Sequence, residues 1–534
     1  MKLDAIIIAD FDTESFSGSN PLRLSIEGKT ADVQVVLRHL QQESLLSSEH
    51  FSNNSVSWAS APKLNGLFLF SFLSSKGFDV GLIDNYYAER EQFISLLAEK
   101  PRAVIISTTF ISSRQHFSKL IKDIRSVAPE VFIIAGGSFV HSSYLISKRY
   151  QDPSLTSLLQ DDYLFIDDEC LDVDLYITDP KGYHFLPPAL EELRQNGQCK
   201  AAFPSSARMV GARHSFSEPM AQHSDIKHHS IEWKLLPSSI FSSGVVPMEA
   251  SSGCTSRCAF CNFIKEGRKN SVKNLEFLEA ELEAVLERGT RYVWFVDDHF
   301  RLGKDIHQFC QRVLDRNMNF RWMSFIRADA LRSLDFDLLR RSGCKQVQLG
   351  LESADERVLQ NMNKKATPHM YAEVIRRLLE VGIDCSCYFI FGFPGETEDT
   401  IKRTVAFINS IDTKGLEGNM SWSIYPFILA PLSPIFHESL RTKYGLTGYM
   451  HNWEHRTMNA KAARNWIKWA FQNISNSGPV YRGDDLDLLE KLSPARRKEF
   501  ILKRHNLTQV AAGKEIPAEA IREAFEPILK EIIV

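Results

Sequence analysis

Over residues 1 to about 200, short apolar runs alternate with amphipathic stretches. The pattern predicts strands at 5–8, 79–84, 103–107, 131–135 and 174–178. Helices are predicted between them at 30–44, 64–77, 89–99, 114–127 and 188–196. Continuously apolar strands separated by helices describe a doubly wound parallel α/β sheet of flavodoxin or Rossmann type. Ligands of such sheets sit at the carboxyl ends of the strands. Here those ends supply Ser107, Thr108, Thr109, Gly136, Gly137 and Ser138, small residues that also suit plain tight turns.

A second, more regular alternation begins at 245. It predicts strands at 245–249, 292–296, 321–326, 346–351, 385–391 and 422–427, with helices at 275–287, 306–316, 335–341, 368–381 and 397–411. Six strand–helix steps form most of a closed parallel barrel of TIM type, an architecture that carries its chemistry at the carboxyl ends of the strands. Residues 201–244, rich in Ser and His, read as a connector. Its histidines, His214, His223, His228 and His229, lack a cysteine at ligand spacing and read as solvated linker residues. Residues 431–534 read as a helical extension. The expected organisation is therefore 1–200, 201–244, 245–430 and 431–534.

A chain of 534 residues exceeds a single ordinary core, and 44% hydrophobic with 24% charged residues is the composition of a soluble globular protein. A formal charge of −3 gives no reason to expect a polyanionic partner, although it leaves room for a local basic patch, so no nucleic-acid partner is expected. The start MKLDAIIIAD lacks the long apolar region of a signal peptide, and the apolar stretch at 66–73 is far shorter than a bilayer span. No membrane association and a cytoplasmic location follow as expectations. Nine cysteines, scattered except for one triplet, are not a disulfide framework.

That triplet is Cys254-Thr-Ser-Arg-Cys258-Ala-Phe260-Cys261, directly after the first strand of the barrel-like half. Three thiolates at this spacing can hold three corners of a 4Fe–4S cubane. The fourth iron then has no protein ligand. It is open to the amino and carboxylate groups of S-adenosylmethionine, whose carbon–sulfur bond one electron can break. Structural zinc is the alternative, but it calls for a fourth ligand and a second half-site, and no paired C-x2-C follows.

The C-x3-C-x-F-C spacing resembles the signature of radical S-adenosylmethionine enzymes, and the resemblance spans about 245–430. It implies that Cys254, Cys258 and Cys261 ligate the cluster and that Phe260 packs beside the adenine. FVDDHF offers Asp297 and Asp298 for the methionine amino group, although two carboxylates there also suit a helix cap. SFIRADAL offers Arg327 for the cosubstrate carboxylate, or for a pair with Asp329. GLESADERVLQNMNKKAT, close to G-x-E-S with V-L-x-x-M-x-K, offers Glu352 for the ribose or the amino group. CYFIFGFPGETEDT offers Gly392, where the backbone approaches the adenine.

Upstream, NGLFLFSFLSSKGFDVGLIDN and VFIIAGGS ahead of a radical half resemble the cobalamin-binding class of these enzymes. The class implies a corrin over the strand ends, here Ser107, Thr108, Gly136 and Gly137, and methyl transfer to an unactivated carbon. Two departures stand out. D-x-H-x-x-G is replaced by Asp10-Phe-Asp12-Thr-Glu-Ser15, and Asp179-Pro-Lys-Gly182 stands where a glycine–glutamate pair is usual. In the tail, W-x-H-x-T-M resembles the same class, with Trp453, His455 and Thr457 either lining a substrate end or anchoring a core.

The expected activity is reductive cleavage of S-adenosylmethionine to a 5′-deoxyadenosyl radical, used for cobalamin-dependent methylation of a natural-product or peptide precursor. An external one-electron reductant such as flavodoxin or ferredoxin is implied. The alternatives are rearrangement, cyclisation or other C–H functionalisation without methyl transfer, and a non-enzymatic corrinoid or iron–sulfur carrier. A methylthiotransferase calls for three further N-terminal cysteines, but only Cys170 and Cys199 lie upstream of the triplet.

Overall fold

The strand β1 (Ala5–Ile8), β2 (Val80–Ile83) and β3 (Ala103–Ser107) sequences are AIII, VGLI and AVIIS, every residue buried, as strands covered on both faces must be. With β4 (Phe132–Gly136), β5 (Leu175–Ile177) and β6 (Ser215–Ser217) they form an all-parallel sheet of order β2-β1-β3-β4-β5-β6. The order reverses between β1 and β3, the topological switch point at which such sheets bind ligands. Helix Leu64–Ser75 packs closely here: a Cβ on Gly66 would lie 2.5 Å from the Ala9 Cβ. This computed structural model describes residues 3–11, 23–42, 56–150, 157–167, 171–179, 182–199, 215–217, 230–262, 270–511 and 516–533. They divide into two units: Met1–Ser17, Pro62–Ser238 and Phe263–Lys269 in the first, Gly18–Ala61, Ser239–Asn262 and Asn270–Val534 in the second.

Two features of the first unit differ from the sequence expectation. A helix over Ser138–Arg149 follows Gly137 directly; its mixed sequence, SFVHSSYLISKR, has no clean apolar stripe. The expected connector contributes β6, parallel to β5. His214, His223, His228 and His229 lie outside the described residues.

The second unit is built on β7 (Val245–Met248), β8 (Tyr292–Phe295), β9 (Arg321–Phe325), β10 (Cys344–Glu352), β11 (Asp384–Phe391), β12 (Met420–Pro426) and β13 (Gly478–Pro479), all parallel and paired in that order. Six of these are the expected strands. The seventh comes from the expected helical extension, which also carries a small antiparallel sheet of Thr447–Tyr449, Asn452–His455 and Met458–Asn459. On the helix-facing side Phe295, Phe300, Phe309 and Trp322 interlock, with ring centroids 4.8 to 5.9 Å apart. The other side faces a lumen. Trp58 sits at its amino end, donating from Nε1 to Gln346 Oε1 at 3.0 Å and meeting Tyr292 edge-on at 5.8 Å.

Helix Val33–Gln42, which its position groups with the first sheet, belongs to the second unit. Its Val36, Leu37 and Leu40 join Phe500, Phe525 and Ile528 of the C-terminal helices in one core. Arg504 crosses beside this core, clamped by Asp484 at 2.7 and 2.8 Å under the Tyr481 ring. Among the described residues no helix is long and apolar enough to cross a membrane.

Candidate functional site

Beyond β7 the chain forms a two-residue rung, Ser251–Ser252 against Ser271–Val272, so the cysteine loop stands on an antiparallel base. It is entered through Gly253, at φ +98°, where a Cβ would lie 2.3 Å from Asn270 Oδ1; a side chain there has neither room nor an easy backbone. The loop is tied down at its middle. Ala259 N–H donates to Met362 O (2.8 Å), Ala259 O accepts from Ile435 N–H (2.9 Å), and Asn363 Nδ2 donates to Arg257 O (2.7 Å). Cys254, Cys258 and Cys261 are half-buried thiols on this one loop, and none is in a disulfide. Among the described residues no three Cys, His, Asp or Glu side chains converge as a metal-holding set, so the thiols share a rim without meeting at a point. The Phe260 and Phe393 rings meet in a T, 6.4 Å between centroids.

Asp297, at the end of β8, is buried at 2% exposure. Its Oδ1 accepts the N–H of Ala250 (2.8 Å), and its Oδ2 accepts Ser251 Oγ–H (2.5 Å) and the N–H of Arg301 (3.2 Å). Burial raises its pKa to about 6 against the pull of those donors. Its acceptors thus brace the base of the cysteine loop rather than face a cosubstrate. Asp298, next in sequence, is exposed.

Arg327, following β9, pairs with Asp329 at 2.9 Å. The same guanidinium lies within electrostatic reach of Cys254 and Cys258. At the end of β10, Glu352 adopts φ +67°, a left-handed conformation costly for a residue with a Cβ. A register shift against β11 accompanies it between Gly350 and Glu352. Its carboxylate pairs with Lys364 Nζ at 2.8 Å, both side chains nearly buried, and the same ammonium donates to the Gly350 carbonyl. Burial pushes the Cys258 thiol pKa up, while Lys364 and Arg327 pull it down towards the thiolate that iron requires.

At the end of β11 the Gly392 peptide is clamped from both sides. Its N–H donates to Glu396 Oε2, and its carbonyl lies 2.9 Å from His455 Nε2. The His455 ring stacks on Trp453 (5.3 Å, 4°), whose Nε1 donates to Phe427 O at 2.8 Å; Thr457 Oγ1 lies 3.1 Å from His455 Nδ1. Gly392 has φ +96°, and a Cβ would lie 2.4 Å from the Trp453 ring. Trp453 and His455 are therefore buried anchors of this turn. Glu396 is fully buried, and burial raises its pKa to about 8. Sequence reasoning passed over Lys364 and Glu396, although the first is the Lys of V-L-x-x-M-x-K and the second an acid inside an apolar turn.

In the first unit the strand-end residues largely bond to one another. Thr108 N and Oγ1 both donate to Gly136 O (2.7 and 2.9 Å), and Thr108 Oγ1 accepts from Val140 N–H. Ser107 Oγ accepts from Asn65 Nδ2 (2.7 Å) and lies 3.1 Å from Thr109 Oγ1. Gly137, at φ +112°, leaves a Cβ only 3.0 Å from Thr108 N.

Residues 248–408, from the end of β7 through helix Glu398–Ser410, match the model of the Radical SAM superfamily. This part of the chain is a radical S-adenosylmethionine domain. Such a domain works with a 4Fe–4S cluster and S-adenosylmethionine, so the chain is an enzyme. An uncharacterized methyltransferase of Pyrococcus horikoshii is 24% identical over 344 residues, 62% of this chain and 70% of that one. The bacteriochlorophyllide d C-12(1)-methyltransferase of Chlorobaculum tepidum is 26% identical over 37% of this chain, which spans only 43% of that protein. Among solved structures, the cobalamin-dependent S-adenosylmethionine radical enzyme OxsB matches with TM-score 0.56 at 13% identity, over 99% of this chain and 80% of its own. The methyltransferase TsrM of Kitasatospora setae, solved with cobalamin and a 4Fe–4S cluster, matches with TM-score 0.53 at 14% identity, over 81% and 74%. At these identities the structural likeness shows the fold: a doubly wound α/β sheet ahead of a partial barrel.

Proposed function

We propose that Cys254, Cys258 and Cys261 hold three irons of the cluster, and that the enzyme uses it, with cobalamin carried by the first unit, to methylate an unactivated carbon of a small natural-product or peptide precursor. The observation that carries this reading is that Arg327, after β9, and the Glu352–Lys364 ion pair, after β10, lie within electrostatic reach of Cys258 on the loop after β7. The donor set fits the cluster, since three soft thiolates on one loop leave one iron for a non-protein ligand. Bound there, the cluster supplies the electron that splits S-adenosylmethionine into methionine and a 5′-deoxyadenosyl radical.

The chain's own residues do the rest. Gly253 turns the loop, and Asp297 fixes its base through Ala250 and Ser251. Arg327 and Lys364 offset the negative charge of the thiolates. Arg327, whose Nε and Nη2 are held by Asp329, keeps Nη1 as a donor for the cosubstrate carboxylate. Glu352 presents an acceptor for its amino group or ribose. Phe260, half-buried on the cysteine loop, offers its ring to the adenine, and the clamped Gly392 peptide sets the turn at the end of β11. An external one-electron reductant, flavodoxin or ferredoxin in kind, would restore that electron to the cluster.

For cobalamin, support comes from the sheet order with its switch point between β1 and β3, and from the fold shared with OxsB and TsrM. A corrin there would act as a methyl carrier. The internal bonding of Ser107, Thr108 and Gly136 favours a second reading, in which the sheet is scaffold and the radical alone functionalises a C–H bond. Anaerobic reconstitution with hydroxocobalamin separates the two: a bound visible spectrum after gel filtration supports the methyltransferase, and free cofactor alone leaves the second reading. Cys258→Ala should fold yet lose the intact cluster; full activity in that variant would end the assignment.

A further inference from the structure

The lumen of the second unit carries a polar layer below the strand ends. Alternate residues of a strand share a face, and on the lumen face lie Trp294 of β8, Phe325 of β9, Gln348 of β10, Tyr388 of β11 and Tyr425 of β12. Gln348 Nε2 donates to Tyr388 Oη at 2.9 Å. Phe325, Tyr388 and Tyr425 form a fan, with centroids 5.5 and 6.1 Å apart and planes tilted by 37° and 32°. Arg482, just past β13, lies within electrostatic reach of Tyr388 and Tyr425, and its guanidinium carbon lies 6.0 Å from the Trp294 ring centre.

Three observations mark this layer as incomplete. Trp294, Phe325, Tyr425 and Arg482 are only half-buried although they belong to the inner wall, so the lumen is open beside them. The titratable groups that interact electrostatically with Arg482 are the neutral phenols Tyr388 and Tyr425, with no carboxylate paired to it among the described residues. Arg504 in the same unit, by contrast, is held by both oxygens of Asp484. Gln348 Oε1 and Trp294 Nε1 are buried without a hydrogen-bond partner, an orphan acceptor and an orphan donor in one layer. Buried polar atoms are seldom left so, and a half-buried guanidinium without a carboxylate beside it is open to an anion.

We infer that this layer is the substrate's anion subsite: Arg482, with the hydroxyls of Tyr388 and Tyr425, takes a carboxylate or phosphate, and Trp294 and Phe325 hold the flat unsaturated body that carries it. Tyr388 lies three residues before the end of β11 at Phe391, roughly 10 Å down the strand. An anion anchored there lets a body of about that length reach the rim on which the cysteine loop stands. This assignment rests on the reading of the second unit as the radical site and names the substrate class for it.

The test uses the anaerobically reconstituted full chain and three fluorescent probes: 2-naphthoate, 2-naphthyl phosphate and the uncharged 2-naphthamide. At least one anion should bind about tenfold or more tightly than the amide, and the tighter of the two separates carboxylate from phosphate. Arg482→Gln should erase that preference while leaving naphthamide affinity nearly unchanged, and Arg482→Lys should keep part of it. Tyr388→Phe, which removes a hydroxyl of the same subsite, provides the same comparison should Arg482→Gln not fold. Equal binding of anions and amide by the unsubstituted protein, or a preference that survives Arg482→Gln, overturns the assignment. Formation of 5′-deoxyadenosine by the unsubstituted protein is scored separately, so a failure of radical chemistry with anion selectivity intact counts against the radical reading alone.

Discussion

Asp297 accepts the backbone N–H of Ala250 at 2.8 Å, so the strand after the cysteine loop holds the loop's base in place. Asp297→Asn keeps the shape but cannot accept all three of the present donors, and an unmet buried donor costs about 1–3 kcal/mol. The expected result is a lower melting temperature and faster loss of cluster to a chelator. Asp298→Asn, at an exposed position, should leave cluster retention unchanged. Equal retention in both variants would remove the bracing role.

Glu352 and Lys364 form a nearly buried ion pair beside Cys258. Removing one partner leaves the other charge stranded, at a cost of roughly 3–5 kcal/mol, while removing both is far milder. Denaturant unfolding of Glu352→Gln, Lys364→Met and the double variant should therefore show a strong positive coupling. Additive losses would mean that the pair is not a unit.

Among the described residues Glu396 has no charge partner in its buried turn, and burial raises its pKa to about 8. Folding therefore favours the neutral acid. The stability this confers is fully present below the ordinary carboxylate pKa and is lost as pH rises from about 4.5 towards 8, by up to about 1.4 kcal/mol per pH unit. Glu396→Gln keeps an acceptor for the Gly392 N–H and does not titrate. Its melting temperature should overtake that of the unsubstituted protein progressively between pH 5 and pH 8. Parallel curves across that range would show that Glu396 is ionised in the fold.

Gly392 is held at φ +96° against the Trp453 ring. Gly392→Ala adds a methyl where no room exists and backbone strain where there was none. The variant should take up cluster normally yet show a raised KM for S-adenosylmethionine and a lower melting temperature. An unchanged KM would separate this turn from the adenine.

The strands at Ala5–Ile8 and Ala103–Ser107 and the helix at Arg114–Val127 lie where the hydrophobic pattern predicts them, because continuous or strongly periodic burial leaves its mark on local sequence. What stayed hidden is longer in range. An amphipathic helix shows that it covers something but not what, so Val33–Gln42 gave no sign that its partners lie beyond residue 485. A two-residue strand such as Gly478–Pro479 has no period to read. At the site, the motif order located the strand ends correctly. It could not reveal that Asp297 turns its oxygens inward, since the adjacent Asp298 is chemically identical and differs only in which side of the strand end it occupies.

The central claim is that three thiols leave one iron for S-adenosylmethionine. Electron paramagnetic resonance of the reduced, anaerobically reconstituted protein tests it most directly, recorded with and without the cosubstrate and paired with chromatography for 5′-deoxyadenosine. The account predicts a 4Fe–4S signal that changes shape when S-adenosylmethionine is added, with 5′-deoxyadenosine formed in the same tube. A signal indifferent to the cosubstrate, or bound zinc in place of iron, would contradict it.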